Sequence, residues 1–303
     1  MALAGLVVGF VVGLTGMGGG ALMTPILVLI FGIQPLAAVS SDLVVSLAMK
    51  PVGGAVHLRR GTVDVRMVKW LVVGSVPTAF AGAVLVTSLG SGASLQRLVQ
   101  TALGATLVIA SVAILLKSLL IIRRGGRGRT ALGERPERIR PVQTCAIGAV
   151  GGLIVGMTSV GSGSLIIVLL MLLYPSLSAK SLVGTDLVQA VPLVGSAALG
   201  HLLFGDVQFG LTTSLLVGGL PGVYAGARLS SRASGTVIRR CLVFVLFASG
   251  MKLLGLPAAA LGGLLLALAL TSVPIWGLAR KVAKAGAPRQ AAGLSRTEKA
   301  QQR

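Results

Sequence analysis

GLTGMGGGAL at residues 13–22 and GMTSVGSGSL at residues 156–165 are two versions of one pattern, a glycine- or serine-rich knot between apolar runs. Three further blocks repeat behind them in the same order. DLV at 42–44 returns at 186–188, HLRRGTV at 57–63 returns as HLLFGDV at 201–207, and GSVPTAFAGA at 74–83 returns as GGLPGVYAGA at 218–227. Isolated matches are cheap in a Gly/Ala-rich chain. Ordered blocks that share Asp, His and Pro are not, and the chain reads as a duplication of one unit.

Composition says where that unit lives. Of 303 residues, 54% are hydrophobic and only 11% charged, and the mean hydropathy is +0.93. Apolar runs of about 20 residues, each long enough to cross a hydrocarbon core of roughly 30 Å, alternate with Gly, Pro or Arg. The 43 glycines suit helices that approach closely in lipid. A net charge of +20 could point to nucleic acid, but the Lys and Arg gather in clusters between or after apolar runs, as topology signals do. No basic folded domain with helix-turn-helix or aromatic features accompanies them, so nucleic acid is excluded as a partner. Cys145 and Cys241 have no metal-ligand spacing and read as inert buried thiols. The N-terminus lacks the charged region of a secretory signal, so residues from Ala2 onward read as retained structure.

The expected fold is an all-α polytopic membrane protein. A first transmembrane repeat covers 1–122, with a knot-broken segment at 2–31 and helical spans at 36–57, 67–89 and 97–122. A basic linker with seven Arg follows at 123–141. The second repeat covers 142–255, with a broken segment at 142–173 and spans at 180–203, 209–230 and 237–255. An additional helix within 256–279 and a basic tail at 280–303 complete the chain.

Loop charge orients the halves, since short Lys/Arg-rich loops stay cytoplasmic. Arg59, Arg60, Arg66 and Lys69 put the loop near 58–69 inside, and the Arg-rich linker is inside two spans later. Arg228, Arg232, Arg239 and Arg240 put 228–240 inside, with the tail. The loop at 204–208 has Asp206 and no Lys or Arg, so it faces outside, yet it is the repeat partner of the 58–69 loop. Equivalent loops on opposite faces mean an inverted repeat. Lys252, near the outer end of its span, is the exception. Segment 142–173 must then enter and return without crossing, as two half-helices of about 14 and 10 residues, roughly 21 and 15 Å long. By symmetry, 2–31 does the same from outside. The alternative, one tilted helix over 142–173, would make the halves parallel and strand two Arg clusters outside.

Inverted-repeat transporters place their sites near the midplane between broken helices, where irregular backbone is tolerated only if buried or lining a cavity. Thr15, Gly16, Gly18, Gly19 and Gly20 in the first knot, and Thr158, Ser159, Gly161, Ser162, Gly163 and Ser164 in the second, are the candidate substrate-binding residues. Helix starts there would offer backbone N–H groups and a positive dipole end to an anion, with hydroxyls as further donors. The plainer reading of such glycines is close helix packing. Lys50, deep in its span, could attract an anion. Asp42 and Asp186, and His57 and His201, are repeat pairs within apolar segments and are candidates for coupling to protons. The competing readings are that Asp42, after Ser40 and Ser41, caps a helix, and that the histidines are interfacial. Enzyme motifs are weak: Val160-Gly161-Ser162-Gly163 lacks the first Gly of an intramembrane serine protease pattern, and no P-loop, metal-ligand or dinucleotide spacing occurs. Neither a catalytic residue nor a cofactor or metal is expected.

GLTGMGGGALMTPIL at 13–27, with Gly32 and the Asp42 region behind it, resembles the opening of the sulfite exporter TauE/SafE family of bacterial permeases. GMTSVGSGSLIIVLL at 156–170 repeats it, and the likeness covers nearly all of residues 5–255. The second copy departs from the first where Ser159 and Ser162 replace Gly and where Val168 stands opposite Pro25. The resemblance implies a multi-pass protein of the bacterial cytoplasmic (inner) membrane that exports sulfite, a sulfonate or a related small oxyanion. A passive anion channel and a non-transporting membrane partner protein are the alternative classes, and a homo-oligomer is compatible with the sequence.

Overall fold

The computed structural model describes residues 1–264 apart from 16–19, 60, 62, 90–91, 124–138, 176, 178, 230–234 and 258–259, and side chains at 15, 52–53, 56–57, 117–123, 179–180, 227 and 235–240 are also outside the description. Most of the expected linker, most of the additional helix and the whole tail therefore lie outside the described residues.

Every element among the described residues is helical. In chain order they are α1 (Ala2–Thr15), α2 (Gly20–Leu29), α3 (Pro35–Arg59), α4 (Val65–Ser88), α5 (Ala93–Arg123), α6 (Pro141–Thr158), α7 (Leu165–Leu173), α8 (Ala179–Phe204), α9 (Phe209–Leu229) and α10 (Gly235–Leu253). Two short helices and three long ones thus occur twice. Segments within α4, α5, α6 and α8 are long and apolar enough to cross a membrane. Large apolar side chains such as Leu3, Val73, Val142, Leu203 and Val217 point outward, while Asp42, Lys50, Asp186, Gln189 and His201 are buried. A soluble protein has the opposite arrangement; this one is polytopic in a membrane, where ionisable groups turn to the bundle interior.

Glycine seams set the packing. Gly148, Gly152 and Gly156 of α6 meet the backbone of α4 at Leu71, Ser75 and Ala79 in turn, so the two helices run parallel. Likewise Gly218, Gly222 and Gly226 of α9 meet Ala2, Leu6 and Phe10 of α1, again in parallel. In each seam a Cβ would strike the facing main chain, so the helices touch backbone to backbone. The first short helix of each half therefore lies along a long helix of the other half. The central pair α3 and α8 runs antiparallel: Ser40 meets His201, Leu47 meets Gly195, and Gly54 meets Leu187. The pair α5 and α10 also runs antiparallel, with Gly104 against Gly250 and Gln100 Nε2 donating to the Leu253 carbonyl at 3.0 Å.

Matching hydrogen bonds tie the halves together. The Asp64 N–H, at the start of α4, donates to Thr185 Oγ1 of α8 at 3.0 Å. At the equivalent place, the Gln208 N–H before α9 donates to Ser41 Oγ of α3 at 3.3 Å. Asp64 also caps α4, accepting from the Arg66 and Met67 N–H groups.

The second knot folds back on itself. Tyr174, just past the end of α7, accepts the Arg140 N–H on its hydroxyl at 2.9 Å and pairs with Thr144 Oγ1 at 2.6 Å, both at the start of α6. Ile166 packs on Gly151 midway. Helices α6 and α7 thus form a hairpin whose two ends meet. Its first leg has 18 residues and its return leg 9, so the legs are less equal than expected. Pro141, fitted to a first helical turn, starts α6 early, and left-handed Ser159 ends it.

One expectation fails outright. Both cysteines are free, but Cys241 is exposed and Cys145 only partly buried. The packed stripe of α10 runs through Leu242, Leu246, Gly250 and Leu253, and Cys241 falls beside it.

Candidate functional site

The backbone of the second knot makes three left-handed steps, Ser159 at φ 59°, Gly161 at 125° and Gly163 at 96°. The two glycines adopt such angles freely, whereas Ser159 does so against its Cβ. The Thr158 hydroxyl turns back on the chain, donating to the Ile154 carbonyl at 2.7 Å and accepting the Val160 N–H at 3.3 Å. It fixes the turn. Ser164 precedes α7 without making a capping bond. The Gly20 Cα, at the start of α2, abuts the Ser159 carbonyl with no room for a methyl group. Thus α2 begins against the second knot. Gly16, Gly18, Gly19 and the side chains of Thr15 and His57 lie outside the described residues.

Around this contact the buried polar side chains converge. Ser159 Oγ donates to Asp42 Oδ2 at 2.7 Å, and Thr24 Oγ1 of α2 donates to the same oxygen at 2.9 Å. Asp42 lies two turns inside α3 and is fully buried, so it is no N-cap. Lys50, two turns further along α3, donates from Nζ to Ser162 Oγ at 2.6 Å. Its charge lies in the field of both Asp42 and Asp186. On α8, Asp186 Oδ1 accepts from Gln189 Nε2 at 2.9 Å, and Gln189 Oε1 accepts from Ser75 Oγ of α4 at 3.3 Å. The cluster therefore holds one ammonium, two carboxylates and several hydroxyls, reached from α2, α3, α4, α8 and the knot.

His201 is fully buried within the bundle. Its Nε2 is 2.8 Å from the Gly156 carbonyl, which can only accept, so Nε2 carries hydrogen. A neutral ring then accepts the Ser40 hydroxyl on Nδ1 at 2.8 Å. Gly156 is in the last turn of α6, where carbonyls lack intrahelical donors, so His201 completes the end of the broken helix while bridging α8 to α3.

Thr24, Ser40, Ser46, Ser75 and Gln189 are members of this network that the repeat comparison does not single out. The signal for two of them is helical spacing: Asp42, Ser46 and Lys50 fall on one face of α3, and Asp186 and Gln189 on one face of α8.

The model of the sulfite exporter TauE/SafE family matches residues 1–253. YjnA, a probable membrane transporter protein of Bacillus subtilis (strain 168), is 37% identical over 253 residues, which is 83% of this chain and 98% of the relative. YdhB, another probable membrane transporter protein of the same organism, is 24% identical over 257 residues, 84% of this chain and 97% of the relative. No solved structure matches. A match that spans both knots and both buried aspartates, with a relative of this identity, makes the chain a member of the sulfite exporter TauE/SafE family.

Proposed function

We propose that this chain is a secondary permease that exports a small oxyanion, such as sulfite or an organosulfonate, across the bacterial cytoplasmic membrane. The observation that carries the reading is the buried Lys50 ammonium held on Ser162 Oγ inside a broken-helix turn. A buried cation beside hydroxyls and the N-terminal end of α7 is chemistry suited to a compact anion. The name of the family, and the naming of its relatives as probable membrane transporters, agree with it.

The architecture we propose is an inverted repeat with re-entrant hairpins. The antiparallel run of α3 against α8 and of α5 against α10 supports it, because a two-fold axis that reverses equivalent membrane-spanning helices lies in the membrane plane. The α6–α7 hairpin, with both ends at Tyr174, supports re-entrance. The basic loops and the C-terminus are then cytoplasmic. Within this scheme Ser159, Ser162, Ser164 and Gly161 to Gly163 form the substrate side, Thr158 and Gly20 shape it, and Asp42 and Asp186 are the coupling candidates.

The test is flux of sulfite and sulfonates in proteoliposomes. Replacing Lys50 by Met removes a charged hydrogen-bonding group worth about 1.5–3 kcal/mol, so transport should fall by about 10- to 150-fold. An unchanged rate would reject Lys50 as a substrate ligand. Absence of flux for every oxyanion tried would reject the substrate class, and single-channel conductance would favour a passive pore.

A further inference from the structure

Charge balance around Lys50 has a consequence for what travels with the anion. Lys50 lies within electrostatic range of two carboxylates, Asp42 on its own helix and Asp186 on α8. With all three groups ionised, the buried cluster carries one negative charge in excess. Nothing else offsets it among the described side chains on the elements packed against α3. Among the described side chains of α8 the other titratable group is His201, bonded to Ser40 and the Gly156 carbonyl, Lys180 lying outside that description. Helix α2 has no titratable residue. Arg97 of α5 and Arg228 of α9 are exposed, the latter stacked on Tyr224. An anion arriving at Lys50 would thus add negative charge to an already negative, water-poor site, and this is strongly unfavourable at low dielectric.

Asp42 is built to remove that excess. Both hydrogen bonds to its carboxylate, from Ser159 and Thr24, fall on Oδ2. Oδ1 is buried and takes no hydrogen bond of ordinary length, and neither does the buried Ser46 hydroxyl one turn further on the same helix face, itself a further group that interacts with the Asp42 carboxylate. A proton on Oδ1 leaves both Oδ2 bonds in place, because Oδ2 remains an acceptor. It also gives Oδ1 a hydrogen to donate toward Ser46. Asp42 is bonded through Ser159 to the same knot whose Ser162 holds Lys50, so carboxyl and ammonium sit on one turn of chain.

We infer that Asp42 takes up one proton on Oδ1 when a monoanion binds at Lys50, and that anion and proton cross together. The inference rests on the anion-permease reading above. Its balance is simple: the carboxylate gains a proton, the anion is unchanged, and the translocated pair is neutral. Transport of a monoanion is then indifferent to membrane voltage and responds to a pH gradient; an acid exterior opposes the outward step, so export runs only where the outward anion gradient exceeds the inward proton gradient.

Labelled methanesulfonate is the probe, since it is a monoanion at any working pH and cannot carry the proton itself. In proteoliposomes, an acid exterior should drive its accumulation inside, and a valinomycin-imposed potential should not change the rate. Asp42→Asn, a neutral mimic of the protonated acid, should abolish pH-driven accumulation while retaining methanesulfonate counterflow, and Asp42→Glu should restore part of the pH response. In wild-type protein in detergent, methanesulfonate addition should take up about one proton per anion bound, read by a pH dye. Flux that ignores pH, or binding with no proton uptake, overturns the inference and leaves the permease reading standing. Retained pH-driven accumulation in Asp42→Asn also overturns it. No binding or flux of sulfite, methanesulfonate or any other oxyanion overturns both.

Discussion

Ser159 has a φ of 59°, in a region that costs a residue with a Cβ about 1–2 kcal/mol. Its hydroxyl donates to Asp42 across 117 residues of sequence, which offsets that strain. Two substitutions separate these contributions. Ser159→Gly should relieve the backbone and lose the bond, leaving a folded protein with altered transport. Ser159→Val should lose the bond and add β-branched strain, lowering Tm well below that of the Gly variant in a detergent thermal melt. Equal Tm values would reject the strain argument. The importance of this residue was partly legible in the sequence, because Ser159 stands where the first knot has Gly16. Its partner was not, because nothing local ties a knot at 159 to an aspartate at 42. The same holds for Lys50 and Ser162. The sequence marks each as unusual in an apolar run, and only the fold brings them to 2.6 Å.

The long helices were legible almost to their ends because apolar runs bounded by Gly, Pro and Arg leave little choice in lipid. Which helix lies against which was not, since pairing depends on matched small residues on two surfaces far apart in the chain. The seams make a sharp prediction. Gly222→Val places a branched side chain against the Leu6 carbonyl, and Gly152→Val places one against Ser75, where overpacking costs about 1–3 kcal/mol and backbone contact leaves no side chain to yield. Both should give less monodisperse protein by size exclusion and a lower Tm. Gly210→Val, also on α9 but with open space around it, should behave as wild type. Equal behaviour of all three would show that the seams do not hold the bundle.

For the whole molecule, loop charge carries the orientation scheme proposed above. Helix α6 runs parallel to α4 and α1 parallel to α9, while α3 opposes α8. What composition could not supply was the closure of the hairpin on Tyr174, a contact between a lone aromatic and a helix start. A topology map tests both. In a cysteine-free background, Arg140→Cys and Pro175→Cys should react with a membrane-impermeant maleimide from one face, and Asp206→Cys from the opposite face. Reaction of positions 140 and 175 from opposite faces would convert the hairpin into a span. The exchange of partners between halves also bears on how the protein is made. Helix α1 leaves the ribosome well before α9, but the surface that fits its seam belongs to α9, synthesised about 200 residues later. At 5–20 residues per second that is roughly 10 to 40 s. Through that interval the first leg has no mate, so neither half matures alone and the bundle closes late, as a single act of assembly governed by translation and insertion.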